Sequence, residues 1–120
     1  MFRRNKSEAP MRRRDGLVSH VLLQEEDVEG GKMAVTWVDL VAGASQQPHR
    51  HAPEQVYVII RGEARMLVGE EEQEVVEGDL IHIPSNVEHG IRNLSDKPLT
   101  YISASTPPFD IRAYYDTGKL

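Results

Sequence analysis

Helical periodicity of useful length is missing from this chain of 120 residues. Short runs rich in β-branched and aromatic residues recur instead, each bounded by glycine, proline, asparagine, aspartate or serine. A chain patterned this way is restricted to an all-β sandwich or barrel. The runs predict strands over residues 17–22, 33–40, 55–61, 64–68, 73–76, 80–83, 88–93 and 100–105. Gly30-Gly31, Gly62, Gly69-Glu70, Gly78-Asp79 and Pro84-Ser85-Asn86 supply the turns between them, and residues 93–98 a longer loop. Strands this short bury one face each and must close on themselves to protect their edges. The length suits one domain with a single core, 1–120, ending in a tail, 107–120, expected to pack as an extended or single-turn cover.

Cysteine is absent, which excludes disulfides, thiolate zinc sites and thiol nucleophiles. Any metal must then be held by nitrogen and oxygen. The lack of cysteine fits a cytoplasmic location, and residues 1–14 have no apolar stretch after their charges, unlike a secretory signal. No apolar run approaches the roughly 20 residues needed to span a bilayer, so no membrane partner is expected. Charge is unevenly spread: Arg3, Arg4, Lys6, Arg12, Arg13 and Arg14 lie in a basic arm, 1–15, ahead of an acidic body. Such an arm can bind nucleic acid by counterion release. Without accompanying aromatic or helical patterning it reads instead as a frayed, solvated terminus, or one laid on an acidic neighbouring subunit. Nucleic acid is therefore not an expected partner.

Two of the five histidines stand one residue apart in PHRHAPEQVYVIIRG, residues 48–62. Residues i and i+2 of a strand share a face, so His49 and His51 would aim the same way. A third appears in GDLIHIPSNVEHGIRN, residues 78–93, where a turn delivers His89 to the start of the next strand. If that strand lies beside the one beginning at Gln55, His89 reaches the same cavity. Three histidines from two strand mouths make a metal site with one open side, as a catalytic or ligand-accepting ion requires.

These residues resemble the cupins, small jelly-roll proteins built on a double-stranded β-helix. Gly43, five residues, His49-Arg50-His51, three residues, Gln55, six residues and Gly62 follow the spacing of the first cupin motif. Gly78, Pro84, His89 and Asn93 follow the second, and the fifteen residues between the motifs match the short hairpin of the simplest members. The resemblance covers about half the chain and implies a single-domain cupin that pairs as a homodimer through its N-terminal strand. It also implies a metal held by His49, His51, His89 and the residue at position 55.

Two positions depart from the family pattern. Asn86 stands where the family has glycine, and asparagine tolerates the left-handed conformation. Gln55 replaces the family's glutamate. Glu54 is next door, but strand alternation turns it away from Gln55 and into solvent. An amide leaves a divalent ion its full charge and cannot serve as a general base, so the ion should be a harder Lewis acid toward an anionic or carbonyl ligand. Some polyketide-tailoring cupins resemble this chain in having glutamine there. Imidazole-rich sites take zinc, nickel, iron or copper, and manganese prefers more oxygen, so zinc or nickel is expected first.

Parity along the strands places Tyr57 and Ile59 with Gln55, and Ile91 and Asn93 with His89. Tyr57, a phenol near the expected metal, is the candidate proton mover. His20 and His82 have no ligand spacing and read as structural polar residues, although His82 is a second candidate for lining the cavity as a proton carrier. Trp37 reads as core or dimer contact, with cavity floor as the alternative, and Met66 as packing. Three functions follow: a small metalloenzyme of isomerase, cyclase, decarboxylase or dioxygenase type, a non-catalytic binding module for a sugar or aromatic acid, or a dimeric scaffold for the basic arm.

Overall fold

The computed structural model describes residues 1–119 and places ten strands among them in two antiparallel sheets. The larger sheet runs, in spatial order, β1 (Met11–Arg14), β2 (Leu17–Leu23), β3 (Ala34–Leu40), β10 (Leu99–Thr106), β5 (Glu54–Arg61) and β8 (Leu80–Ile83). The smaller runs β4 (Ser45–His49), β9 (His89–Arg92), β6 (Glu63–Val68) and β7 (Glu71–Val76). This is a jelly-roll sandwich. From β3 onward the chain crosses repeatedly between the sheets, and the crossings between β4 and β5 and between β8 and β9 build the functional site. A short helix, α1 (Ile111–Asp116), closes the tail. None of the described helices is long and apolar enough to cross a membrane.

Alternation decides which side chains enter the core. In β3 the inward residues Ala34, Thr36, Val38 and Leu40 are buried, while Val35, Trp37 and Asp39 lie on the outer face. Trp37 is therefore outside the cavity, its indole N–H donating to the Asp39 carboxylate at 3.2 Å and the Lys6 ammonium lying 5.0 Å from its ring. Tyr57, Ile59, Met66, Ile83, Ile91 and Tyr101 fill the space between the sheets, with the Tyr57 and Tyr101 rings stacked 4.4 Å apart. Gly62 turns β5 into β6 at φ +92°, and a Cβ there would stand 2.6 Å from the Pro98 carbonyl oxygen, so both conformation and space demand glycine.

Two strands lie outside the expected set. β1 consists of arginines after its first residue, but Asp15 and Gly16 both have positive φ, the two-residue turn that folds β1 back onto β2. The basic arm is consequently a paired strand held against its own chain rather than a frayed end. Arg4 pairs with Asp27 at 2.7 Å, Lys6 with Asp39 at 3.3 Å and Arg12 with Asp116 at 3.1 Å, all within the same chain. β4, sequence SQQPH, hides behind its polarity; it is an edge strand, where Pro48 loses no ladder bond that matters.

Candidate metal centre

His49 ends β4 and His89 begins β9, and the two are paired directly across neighbouring strands. The strand carrying His89 therefore lies beside that of His49 in the smaller sheet, whereas Gln55 approaches from the facing sheet. His51 belongs to no strand; it sits in the segment that carries the chain from one sheet to the other. That crossing is braced by the second motif: the Asn86 backbone N–H donates to the His51 carbonyl at 2.8 Å, and the Ser85 hydroxyl to the Ala52 carbonyl. Asn86 makes this contact at φ +61°, so asparagine does supply the left-handed turn expected of glycine.

The ring centroids of His49 and His89 are 4.3 Å apart, those of His51 and His89 5.0 Å, and those of His49 and His51 5.8 Å. One ligand atom from each lies within 4.8 Å of the others. All three rings share one pattern. Nδ1 of His49 meets the Gln47 carbonyl at 2.9 Å, Nδ1 of His51 that of Pro53 at 3.0 Å, and Nδ1 of His89 that of Val87 at 3.0 Å. A carbonyl only accepts, so each Nδ1 carries the proton and each Nε2 is left with a bare lone pair. Among the described residues, His89 Nε2 is the buried side-chain polar atom with no hydrogen-bond partner. Burial pushes the His89 pKa down to about 4 against the opposing Val87 carbonyl, with His49 and His51 lowering it further; burial likewise lowers His49 and His51. The imidazoles are held neutral, in the form that binds metal.

Gln55 is buried, its amide oxygen 3.0 Å from His51 Nε2 and its amide nitrogen donating to the Ser103 hydroxyl. Three imidazole nitrogens thus converge with an amide oxygen beside one of them, and this neutral set fits a divalent transition metal. Glu54 points outward, as alternation predicts, and pairs with His82 at 2.7 Å. His82 shares that exposed outer face, so it does not line the cavity and is not placed to move protons there. Tyr57 does face the centre, its ring 6.1 Å from that of His89. Its hydroxyl donates to Gln46 Oε1 at 2.9 Å, and burial pushes its pKa well above that of a free phenol, so it stays protonated. Ile59 and Ile91 are core, and buried Asn93 binds the carbonyls of Leu40 and Lys97 to shape the 93–98 loop rather than to reach the metal side.

Four contributors went unforeseen. Gln46, inward on β4, accepts from Tyr57 and, at 3.4 Å, from Tyr101. Ser103 lies opposite Tyr57 on β10. Phe109 covers His51 with ring centroids 4.4 Å apart, and Tyr114 stands 6.0 Å from His51 and 6.2 Å from His49. Parity applied to residues 45–49 and 100–105 would have found Gln46 and Ser103; nothing in the sequence indicates where the tail returns.

A family model described as a cupin domain matches residues 36–105. The chain is a cupin. Its relatives include the uncharacterized protein MJ1618 of Methanocaldococcus jannaschii, 31% identical over 97 residues that span 80% of this chain and 78% of that protein. Auxin-binding protein 1 of Arabidopsis thaliana is 30% identical over 114 residues, 86% of this cupin but 57% of the plant protein. Among solved structures, an RmlC-like cupin from Shewanella frigidimarina superposes with a TM-score of 0.80 at 18% identity, covering 93% of this chain and 96% of that one. A protein from Thermotoga maritima described as a predicted oxalate decarboxylase gives 0.78 at 21% identity, covering 89% and 99%. At such identities these two establish the fold.

Proposed function

We propose that this cupin binds one divalent transition metal, zinc or nickel in preference to manganese, through His49, His51, His89 and Gln55. In this reading the metal presents a small oxygen-bearing organic molecule for isomerase, cyclase, decarboxylase or dioxygenase chemistry. The observation that carries it is the buried, partnerless Nε2 of His89, facing two more bare imidazole nitrogens. Leaving such an atom unsatisfied costs about 1–3 kcal/mol, which a cation removes. When bound, the ion supplies Lewis acidity that polarises a ligand oxygen. The chain's own part is to fix the donor tautomers through the Gln47, Pro53 and Val87 carbonyls and to keep bulk water out beneath Phe109. The test is metal content after incubation with zinc chloride and desalting. One equivalent is expected for the native chain and a large loss for His89→Ala; no zinc retained by the native chain would sink the reading.

One observation favours a non-catalytic binding module as the second reading: Tyr57 is fully engaged and His82 faces outward, so neither is a free proton carrier. Auxin-binding protein 1 is by its name a binding protein, and the Thermotoga neighbour by its description an enzyme. Turnover of oxalate or of an enolisable diketone by the zinc-loaded protein would favour the enzyme; saturable binding with no product would favour the module.

We also read the outer face of the larger sheet as a homodimer contact. Val56, Val58 and Ile102 lie on that face, flanked by Ile60 and Leu80, which are 41% and 61% exposed. An apolar row on the outer side of a two-layer sandwich is what an isologous partner covers.

A further inference from the structure

β7 carries polar side chains at positions that face the core. Val75 points inward and is buried, and strand parity sends Gln73 and Glu71 the same way, yet both are exposed. Their cross-strand partners on β6 are Met66 and Val68, which belong to the apolar interior. A carboxylate and an amide at such positions would be a defect in a filled sandwich. Here they face open space: a cavity of about 500 Å3 lies between the sheets, with Met66, Val68, Val75 and Ile81 as its apolar floor. That volume is in the range that small ligands occupy.

The opening follows from topology. β7 and β8 each end a sheet and are not hydrogen-bonded to one another, although only the turn through Gly78 separates them in the chain. The sandwich is thus unclosed along one side. The cavity there shares no lining residue with the space beside the histidines, and none of the residues proposed to hold the metal lines it.

Its charge is of one sign. Glu71, Glu74 and Asp79 line it, no Lys or Arg does, and among the described residues none of the three carboxylates makes an ion pair. Glu72, which alternation turns to the outside, is instead held by Arg65 and Arg92. Asp79 accepts from the Val76 N–H at 2.8 Å and so serves the turn. Glu71 and Glu74 are the carboxylates left free above a hydrocarbon floor.

We propose that this opening is a second ligand site, one that takes an aliphatic organic cation. The ammonium group lies at Glu71 and Glu74, and the hydrocarbon chain against Met66, Val68, Val75 and Ile81. The acidic rim selects the cation and repels an anion. The floor selects the chain, because each methylene withdrawn from water adds to binding. Both parts are needed, since an exposed ion pair alone is weak and screened by salt. The site is independent of the metal reading.

Heteronuclear NMR titration of the full chain with hexylammonium, hexan-1-ol, hexanoate and ethylammonium separates charge from chain. Hexylammonium is expected to bind more tightly than hexan-1-ol by about fivefold and more tightly than ethylammonium by about tenfold or more, with hexanoate the weakest of the hexyl probes. Amide shifts should cluster within residues 66–84 rather than at His49, His51 or His89. Glu71→Gln combined with Glu74→Gln should bring hexylammonium down to the level of hexan-1-ol and leave the alcohol unchanged. Gln73→Phe, which fills the space from an exposed position and spares the core, should abolish binding of both. The assignment is overturned by no shift with hexylammonium, by hexanoate or the alcohol binding as tightly, by shifts centred on the histidines, or by insensitivity to the double variant. A doubled mass in light scattering that the double variant removes would seat a second copy in the opening, and would overturn it too.

Discussion

The amide oxygen of Gln55 stands 3.0 Å from Nε2 of His51, and in the neutral imidazole neither atom has a proton to give the other. The His51 proton is on Nδ1, held by the Pro53 carbonyl, and the Gln55 N–H is directed at Ser103. Two lone pairs at this separation suit neighbouring ligands of one cation better than a hydrogen bond. Gln55→Glu should therefore raise zinc and manganese affinity by about tenfold and shift preference toward manganese, with little change in fold. Competition with a chelating dye measures it; unchanged affinity and preference would remove residue 55 from the site.

Acid should weaken the apo protein through His89. Its pKa is lowered from 6.5 to about 4 in the fold, so between those values the unfolded chain binds the extra proton. Stability is then full above about pH 6.5 and falls as pH drops toward 4, by an amount on the order of 3 kcal/mol. Urea midpoints of the native chain and His89→Gln across this range test it, the variant losing the largest part of the slope while His49 and His51, also lowered by burial, keep theirs.

Gln46 accepts from two buried tyrosine hydroxyls at once. Gln46→Leu strands both, and a loss of about 2–4 kcal/mol is expected in denaturant melts. Gln46→Glu keeps an acceptor but buries a charge beside the metal donors, so it should recover stability only when zinc is present.

Asn86 holds the turn that braces His51. Asn86→Gly should be neutral within about 0.5 kcal/mol, and Asn86→Val should cost about 1–2 kcal/mol and loosen zinc binding, since a β-branched residue resists φ +61°. Thermal melts with and without zinc separate the two effects.

If the outer sheet face joins two copies, Ile60→Glu with Leu80→Glu should halve the mass seen by light scattering while leaving the far-ultraviolet spectrum unchanged. A native chain already monomeric at micromolar concentration defeats the dimer reading.

Strand alternation, turn residues and the spacing of His49, His51 and His89 were enough to specify an all-β sandwich and to bring three imidazoles together, because period and spacing are properties of a local chain. They also separated Gln55 from Glu54, two neighbours that a strand must send to opposite faces. Strand pairing was beyond them. That His89 lies beside His49 rather than beside Gln55, that His82 and Trp37 face outward, and that Phe109 returns over His51 all depend on which sheet each segment joins. Those choices are made by contacts between residues far apart in the chain, through burial of whole faces at once, and no local period records them. The arginine arm shows the same limit: Asp15-Gly16 permitted a hairpin, but only the acidic partners Asp27, Asp39 and Asp116, assembled by the fold, gave the arm somewhere to lie.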